Sequence, residues 1–423
     1  MRFSRRRTPI RLIALPLAFY LLAACHHQAP TTPTADFHRQ LPDGMVALRK
    51  IPLEEYPDFG AQPIDPNQLS ASINNSLKYL ATPTSQSFFP YLDITHDRAV
   101  ATLMKLSEIC SAMTSPSWDG PAFNAQIRQD FEVYKSVGAP AADGSGYTDR
   151  VLFTGYYTPI YDASATRTEQ FHWPLYKLPT DLVRDPRTGQ VSGRKTTDGQ
   201  TVPYYTRGEI ETGGKLAGSE LVWLKSRWEA YIVTVQGSAI LRMTDTGQLQ
   251  GVGFAGTNGY TYTSPGRQMV TDGVITTDQL TLRGLAQFFA AHPEMMDRYL
   301  PLNQRYVFFT QHSGPPVGSL NVPVTPMTTV ATDKDQKDIY PRAMPAFLTV
   351  PIPNATGTGV RPFTGFMLDQ DTGGAIRASG RCDIYMGIGP SAEAMAGQEL
   401  QEGALYYLAL RPELMLSSPP QAK

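Results

Sequence analysis

Two aspartates stand out by the company they keep. Asp371 opens the run Asp371-Thr372-Gly373-Gly374-Ala375-Ile376. Asp383 follows twelve residues later in Arg381-Cys382-Asp383-Ile384-Tyr385-Met386-Gly387. Paired glycines after Asp-Thr permit a tight turn and a close backbone approach. An aspartate in a strand-rich groove can be held protonated by partial burial, and can then act as a general acid. The plainer role is that each aspartate bonds its own backbone in a turn. Spacing alone leaves both roles open.

A second Asp-Thr-Gly lies at Asp245-Thr246-Gly247. Paired carboxylates can share a proton, as in aspartic peptidases. The flanks argue against that chemistry: Gln248 and Gly374 follow the two triplets, and Met243-Thr244 and Asp369-Gln370 precede them. Asp245 is better placed to close a hairpin after 239–243. The histidines are scattered at 26, 27, 38, 96, 172, 292 and 312, with no paired-His or paired-Cys spacing. No metal centre and no cofactor is expected. Cys110 sits in an apolar helical pattern and reads as a buried thiol rather than half of a disulfide with Cys382.

The chain has 423 residues, 41% apolar and 18% charged, with 35 Gly and 35 Pro. That is enough apolar mass for real cores, in two or three domains, with many turns. The net charge of −1 excludes a strong nucleic-acid-binding field. Basic residues concentrate at the start, in Arg5-Arg6-Arg7 and Arg11. An apolar run over 12–24 follows and ends in Leu22-Ala23-Ala24-Cys25. Thirteen apolar residues suit a signal peptide better than a membrane span. Small residues before Cys25 resemble a lipobox, which makes 1–24 a lipoprotein signal peptide and Cys25 the lipidated N-terminus. Residues 25–36 then form a Pro/Thr-rich tether.

Apolar spacing predicts helices near 67–81 and 95–113. A third follows Asp119, which can cap it, with Pro121 in its first turn. Later runs at 151–157, 229–236 and 306–310 read as strands. The turn-rich stretch 181–202 reads as a surface loop. A helix is predicted over 277–291, with a short second one towards Leu300. The tail from 415 reads as frayed. The fold class is α+β, mainly β with N-terminal helices.

The segments DTGGAI and RCDIYMGIGPSAEAMAG resemble the membrane-bound lytic murein transglycosylase A family, whose C-terminal part is a three-aspartate domain. Further pieces follow the same family order. They are Thr154-Gly155-Tyr156-Tyr157-Thr158-Pro159, Thr206-Arg207-Gly208-Glu209-Ile210, Val235-Gln236-Gly237-Ser238 and Ala255-Gly256-Thr257-Asn258-Gly259. The likeness covers about 150 to 405. It departs at Ala239, where the family pattern has Gly.

The resemblance implies a double-psi β-barrel over 37–155 and 311–410, a smaller inserted β-barrel-like domain over 156–310, a groove between them, and a tail over 411–423. It also implies non-hydrolytic cleavage of the β-1,4 bond between N-acetylmuramic acid and N-acetylglucosamine in peptidoglycan, leaving 1,6-anhydromuramoyl ends. In that reaction Asp383 is the single catalytic acid and then base, and Asp371 supports it. Tyr156, Tyr157, Gln236, Gly237, Ser238, Asn258, Gly373, Gly374 and Tyr385 would bind the glycan. A lipid on Cys25 would hold the enzyme at the outer membrane, facing the periplasm, within reach of cell-wall synthesis or remodelling complexes. Two other readings fit the same residues: a peptidoglycan-binding lipoprotein without activity, and a muramidase that uses two carboxylates.

Overall fold

The computed structural model describes residues 34–113, 119–185, 189–334, 338–356 and 358–415. The signal peptide and Cys25 lie outside them. The chain opens with strand β1 (Leu48–Lys50) and three helices: α1 (Pro66–Leu80), α2 (His96–Ala112) and α3 (Gly120–Asp130). Each helix has a side-chain cap that satisfies free N–H groups in its first turn. Asp65 caps α1, Thr95 caps α2, and Asp119 caps α3 with Pro121 just inside. Their inner faces, including Leu69, Ile73, Leu103, Leu106, Phe123 and Ile127, enter the largest core.

Strands β2 (Phe131–Ser136) and β3 (Val151–Thr158) follow. The chain then leaves for a second sheet and a small third one: β4 (Ile160–Ser164), β5 (Trp173–Tyr176), β6 (Leu182–Arg184), β7 (Val191–Lys195), β8 (Thr201–Val202), β9 (Glu220–Leu224), β10 (Ser238–Met243), β11 (Leu249–Thr257) and β12 (Val307–His312). It returns for β13 (Thr329–Ala331), β14 (Pro345–Pro353), β15 (Val360–Asp371), β16 (Arg381–Ile388) and β17 (Leu400–Leu410).

The first sheet runs β1-β2-β17-β14-β15-β13-β16-β3, and β3 also pairs with β17. Six strands therefore close into a barrel, which removes the free edges of an open sheet. Two of its pairings, β13–β15 and β16–β3, are parallel. The second sheet runs β12-β11-β10-β4-β9-β5. Lys177, just past β5, bridges to Phe309 in β12 and draws its edges together. The outward crossing is three residues, Thr158-Pro159-Ile160. The Thr158 carbonyl accepts from Gly389 N–H at 2.9 Å, and the Pro159 carbonyl accepts from Ile240 N–H at 2.9 Å.

Several expectations need correction. Residues 229–236 are not a strand but part of a helix. Helix α4 (Arg207–Thr212) precedes it, and α5 spans Arg227–Gln236. The β-branched residues of α5 mislead, because its boundary signals outweigh them. Ser226 and Glu229 form a capping box, and Gly237 ends the helix with φ +78°. The stretch 181–202 is not a bare loop but carries the meander β6-β7-β8.

The hairpin at Asp245 joins β10 to β11 as read. The late helices are α6 (Pro265–Thr271), α7 (Leu282–Ala291), α8 (Met295–Tyr299), α9 (Pro390–Ala396) and α10 (Pro412–Met415). Leu414 and Met415 in α10 pack on the main core, so fraying does not begin at 415; residues 416–423 lie outside the described ones. The end of the tether is pinned, since Ala35 bridges Ala141 and Asp36 N–H bonds the Pro140 carbonyl at 2.9 Å. Cys110 and Cys382 are separate, buried thiols.

Candidate active site

Side chains alternate across a strand, and β16 shows what that does here. Cys382, Ile384 and Met386 enter the main core. Arg381, Asp383 and Tyr385 therefore share the opposite face. The parallel neighbour β3 repeats the pattern: Val151, Phe153 and Tyr157 are core, while Thr154 and Tyr156 alternate with them. Register sets Asp383 beside Thr154 and Tyr385 beside Tyr156. Cys382 points away from Asp383, as alternation requires. Burial holds its thiol well above the ordinary range, so it has no thiolate to offer.

Asp383 has a side chain only 15% exposed. Its Oδ1 accepts the Thr154 hydroxyl hydrogen. Arg381 Nη2 stands 3.7 Å from the same oxygen and donates to Thr154 Oγ1 at 3.0 Å. Burial raises the Asp383 pKa above the usual carboxylate value, while Arg381 and the Thr154 bond pull it down. Such a group can hold a proton and also tolerate losing it.

Asp371 ends β15 in a more committed state. Its Oδ1 accepts from the N–H groups of Ser319 and Thr372, each at 2.8 Å, and its Oδ2 accepts from Tyr156 Oη at 3.0 Å. Burial raises its pKa against those donors and Lys334. Lys334 donates to the Asp371 carbonyl at 2.8 Å and pairs with the fully buried Asp369. The Tyr156 ring lies on Tyr385, centroids 5.1 Å apart, and Tyr385 Oη meets Thr158 Oγ1 at 2.9 Å. Gly374 faces Arg305 from the inserted part, and a Cβ there would sit 2.6 Å from Arg305 Nε. Gly373 lies beside it, backed by Ile376.

The inserted sheet reaches this site through the loop after α5. Gln236 Oε1 accepts from Tyr157 N–H at 3.1 Å, and Ser238 Oγ lies 3.3 Å from Thr158 Oγ1. Gly237 supplies the left-handed turn between them. Ala239 lies inside β10 and is buried in the second core, so the departure from the family pattern strains nothing.

The structure thus gathers Asp383, Asp371, Tyr156, Tyr385, Gly373, Gly374, Gln236, Gly237 and Ser238 at the junction of the two sheets. Three expected contact residues are corrected. Tyr157 is 1% exposed in the main core, so only its backbone faces Gln236. Asn258 is 2% exposed and fully used as a tie: Nδ2 donates to the carbonyls of Tyr205 and Gln304, and Oδ1 accepts from Tyr306 N–H. Tyr385 is also buried, as a bed for Tyr156 rather than a surface contact. Sequence reading missed Thr154, Arg381 and Ser319. Arg381 was findable, since it lies two residues before Asp383 in a strand.

Comparison with known proteins places this geometry. Residues 152–310 match the MltA specific insert domain, and 328–409 match the 3D domain. Membrane-bound lytic murein transglycosylase A of Escherichia coli K12 is 30% identical over 283 residues, 65% of this chain and 70% of the relative. The Vibrio cholerae protein of the same name is 29% identical over 290 residues, 68% of this chain and 71% of the relative.

Two solved structures share the fold. The membrane-bound lytic murein transglycosylase of Agrobacterium tumefaciens has a TM-score of 0.69 at 23% identity, covering 86% of this chain and 98% of that one. Escherichia coli MltA with bound chitohexaose has 0.66 at 23%, covering 91% and 100%. The closed six-strand barrel, the inserted sheet and the length of the sequence match lead to one assignment: the chain belongs to the membrane-bound lytic murein transglycosylase A family.

Proposed function

We propose that this enzyme cleaves the β-1,4 bond between N-acetylmuramic acid and N-acetylglucosamine in peptidoglycan without consuming water, using Asp383 alone as acid and then base. The observation that carries the reading is the state of Asp383: mostly buried, biased towards its neutral form by burial, yet held by Thr154 and Arg381, which favour the anion. The protonated carboxyl gives its hydrogen to the glycosidic oxygen as the bond from C1 to that oxygen breaks. The glucosamine side leaves with a free 4-hydroxyl. The C6 hydroxyl oxygen of the muramoyl residue then bonds to C1, and its proton passes to the Asp383 carboxylate.

Tethering within the same sugar gives that hydroxyl a high effective concentration, so no second carboxylate is needed to activate water. Asp371 supports this division of labour, because three donors already hold its oxygens. The Escherichia coli relative holding chitohexaose supports a glycan as the ligand. The names of the relatives support membrane association, and we propose a lipid on Cys25 as the anchor and the outer membrane as its place.

The test is mass spectrometry of muropeptides released from purified peptidoglycan. Products one water lighter than hydrolysis products are expected. Full-mass, reducible ends would replace this reading with hydrolysis.

A further inference from the structure

The pairings of the first sheet set five residues in one row across five strands. Ala331 of β13 lies opposite Asp371 of β15 on one side and opposite Asp383 of β16 on the other. Asp383 lies beside Thr154 of β3, and Thr154 lies opposite Leu400, the first residue of β17. Residues directly across from each other in neighbouring strands put their side chains on one face. The Thr154 bond to Asp383 keeps to that rule. A bulge precedes the pair of Ala331 with Asp371, but the bond from Tyr156 sets that carboxylate on the same face. The row therefore reads Asp371, Ala331, Asp383, Thr154, Leu400.

Leu400 is the odd member, 58% exposed in a row otherwise polar or small. A single exposed leucine is ordinary; this one ends the row that holds the candidate acid. Neighbouring strands lie about 4.8 Å apart, so the Leu400 backbone stands about 10 Å from that of Asp383, and Asp371 about as far on the other side. The adjacent row keeps the same order, with Arg381, Leu152 and Glu402 on β16, β3 and β17. Leu152 is half-buried, and Glu402 is held by Arg150. The inserted part meets β3 farther along, at Tyr157 and Thr158, so the junction runs across the strands in the direction of the row.

We propose that Leu400 is a substrate-binding residue, an apolar platform for the C–H face of the sugar ring on the side of Asp383 away from Asp371. This rests on the functional reading above and adds a residue and a path. The glycan crosses the strands along the row, with the bond to be cut over Asp383, polar groups towards Asp371 and an apolar support at Leu400. A pyranose carries its hydroxyls around the rim and C–H groups on its faces. An apolar side chain therefore gains by covering a face and displacing water from it. Leucine makes no hydrogen bond of its own, so it leaves the Thr154 hydroxyl to Asp383.

The experiment substitutes Leu400 in the full chain. Binding of chitohexaose is measured on the Asp383→Asn protein, alone and with Leu400→Asn or Leu400→Met added. Leu400→Asn weakens binding about fivefold, equivalent to about 1 kcal/mol, and Leu400→Met recovers most of it. In the protein with Asp383 intact, turnover of soluble glycan strands shows the matching loss in KM rather than in kcat, as for a contact made equally before and during bond breaking. The pH limbs of kcat/KM stay in place, and so does the Tm, since the side chain is exposed. Unchanged binding with Leu400→Asn in a folded protein overturns the platform. A shifted pH limb with an unchanged KM also overturns it, by placing Leu400 behind Thr154 rather than under the sugar. A folded Asp383→Asn protein that binds no chitohexaose overturns the functional reading itself, a different result.

Discussion

Thr154 donates its hydroxyl hydrogen to Oδ1 of Asp383 from the adjoining parallel strand. This bond favours the carboxylate, whereas burial favours the acid. Thr154→Val removes the donor and leaves the burial. The Asp383 pKa then rises further, and the high-pH limb of kcat/KM should move up by about one pH unit, equivalent to about 1.4 kcal/mol. The check is a pH profile of both proteins on the same peptidoglycan. An unmoved limb would mean that this bond does not govern the proton.

Asp383→Asn keeps the shape and loses the transferable proton. Turnover should fall by at least about a hundredfold. Stability at neutral pH should not fall. A buried aspartate with a raised pKa stabilises the fold most below its ordinary value of 3.8, and that contribution is lost as pH rises through the folded value. By pH 7 the residue is a net cost that Asn does not carry. Calorimetry together with the muropeptide assay tests both halves, and a folded, active Asp383→Asn would remove Asp383 from the mechanism.

Glu399 lies beside the start of β17, with both carboxyl oxygens buried and unpartnered among the described residues. Burial pushes its pKa up to about 8, from an ordinary 4.5. The unfolded chain thus releases this proton first. Stability should fall with rising pH between about 4.5 and 8, by at most about 1.4 kcal/mol per pH unit. Glu399→Gln should flatten that slope in denaturant melts across the interval. An identical slope in the two proteins would show that Glu399 titrates normally.

Gly237→Ala isolates a backbone effect. A Cβ there meets no atom within 4 Å, but φ is +78°. The left-handed region costs a residue with a side chain about 1–2 kcal/mol. A lower Tm by that equivalent is expected, with Gln236 and Ser238 less well set against β3 and a higher KM. An unchanged Tm would mean that the loop relaxes freely.

What could be read early, and what could not, follows from range. The cap of α3 lies at its own start, so Asp119 with Pro121 two residues on was enough to place it, whereas the Asp65 cap of α1, one residue before Pro66, went unread. Asp383 was visible because its motif is local. Its partner Thr154 was not, since the two are 229 residues apart and meet only when β3 pairs with β16. The misreading of 229–236 had a local remedy in Ser226, Glu229 and Gly237, which mark a helix more firmly than β-branched residues mark a strand. Asn258 shows the remaining difficulty. A polar side chain in a loop can hold a ligand or hold the loop, and only its hydrogen bonds and burial decide.

The short crossing at Thr158-Pro159-Ile160 has a mechanical consequence. The strand that carries Thr154 and Tyr156 becomes, without slack, the strand that starts the inserted sheet, and Gly389 and Ile240 grip the joint from either side. A tilt of the inserted part is therefore a pull on the very rail that supplies the hydrogen to Asp383. On the mechanism proposed above, the acid and the inserted sheet would share a single backbone support, with two hydrogen bonds fixing where it turns.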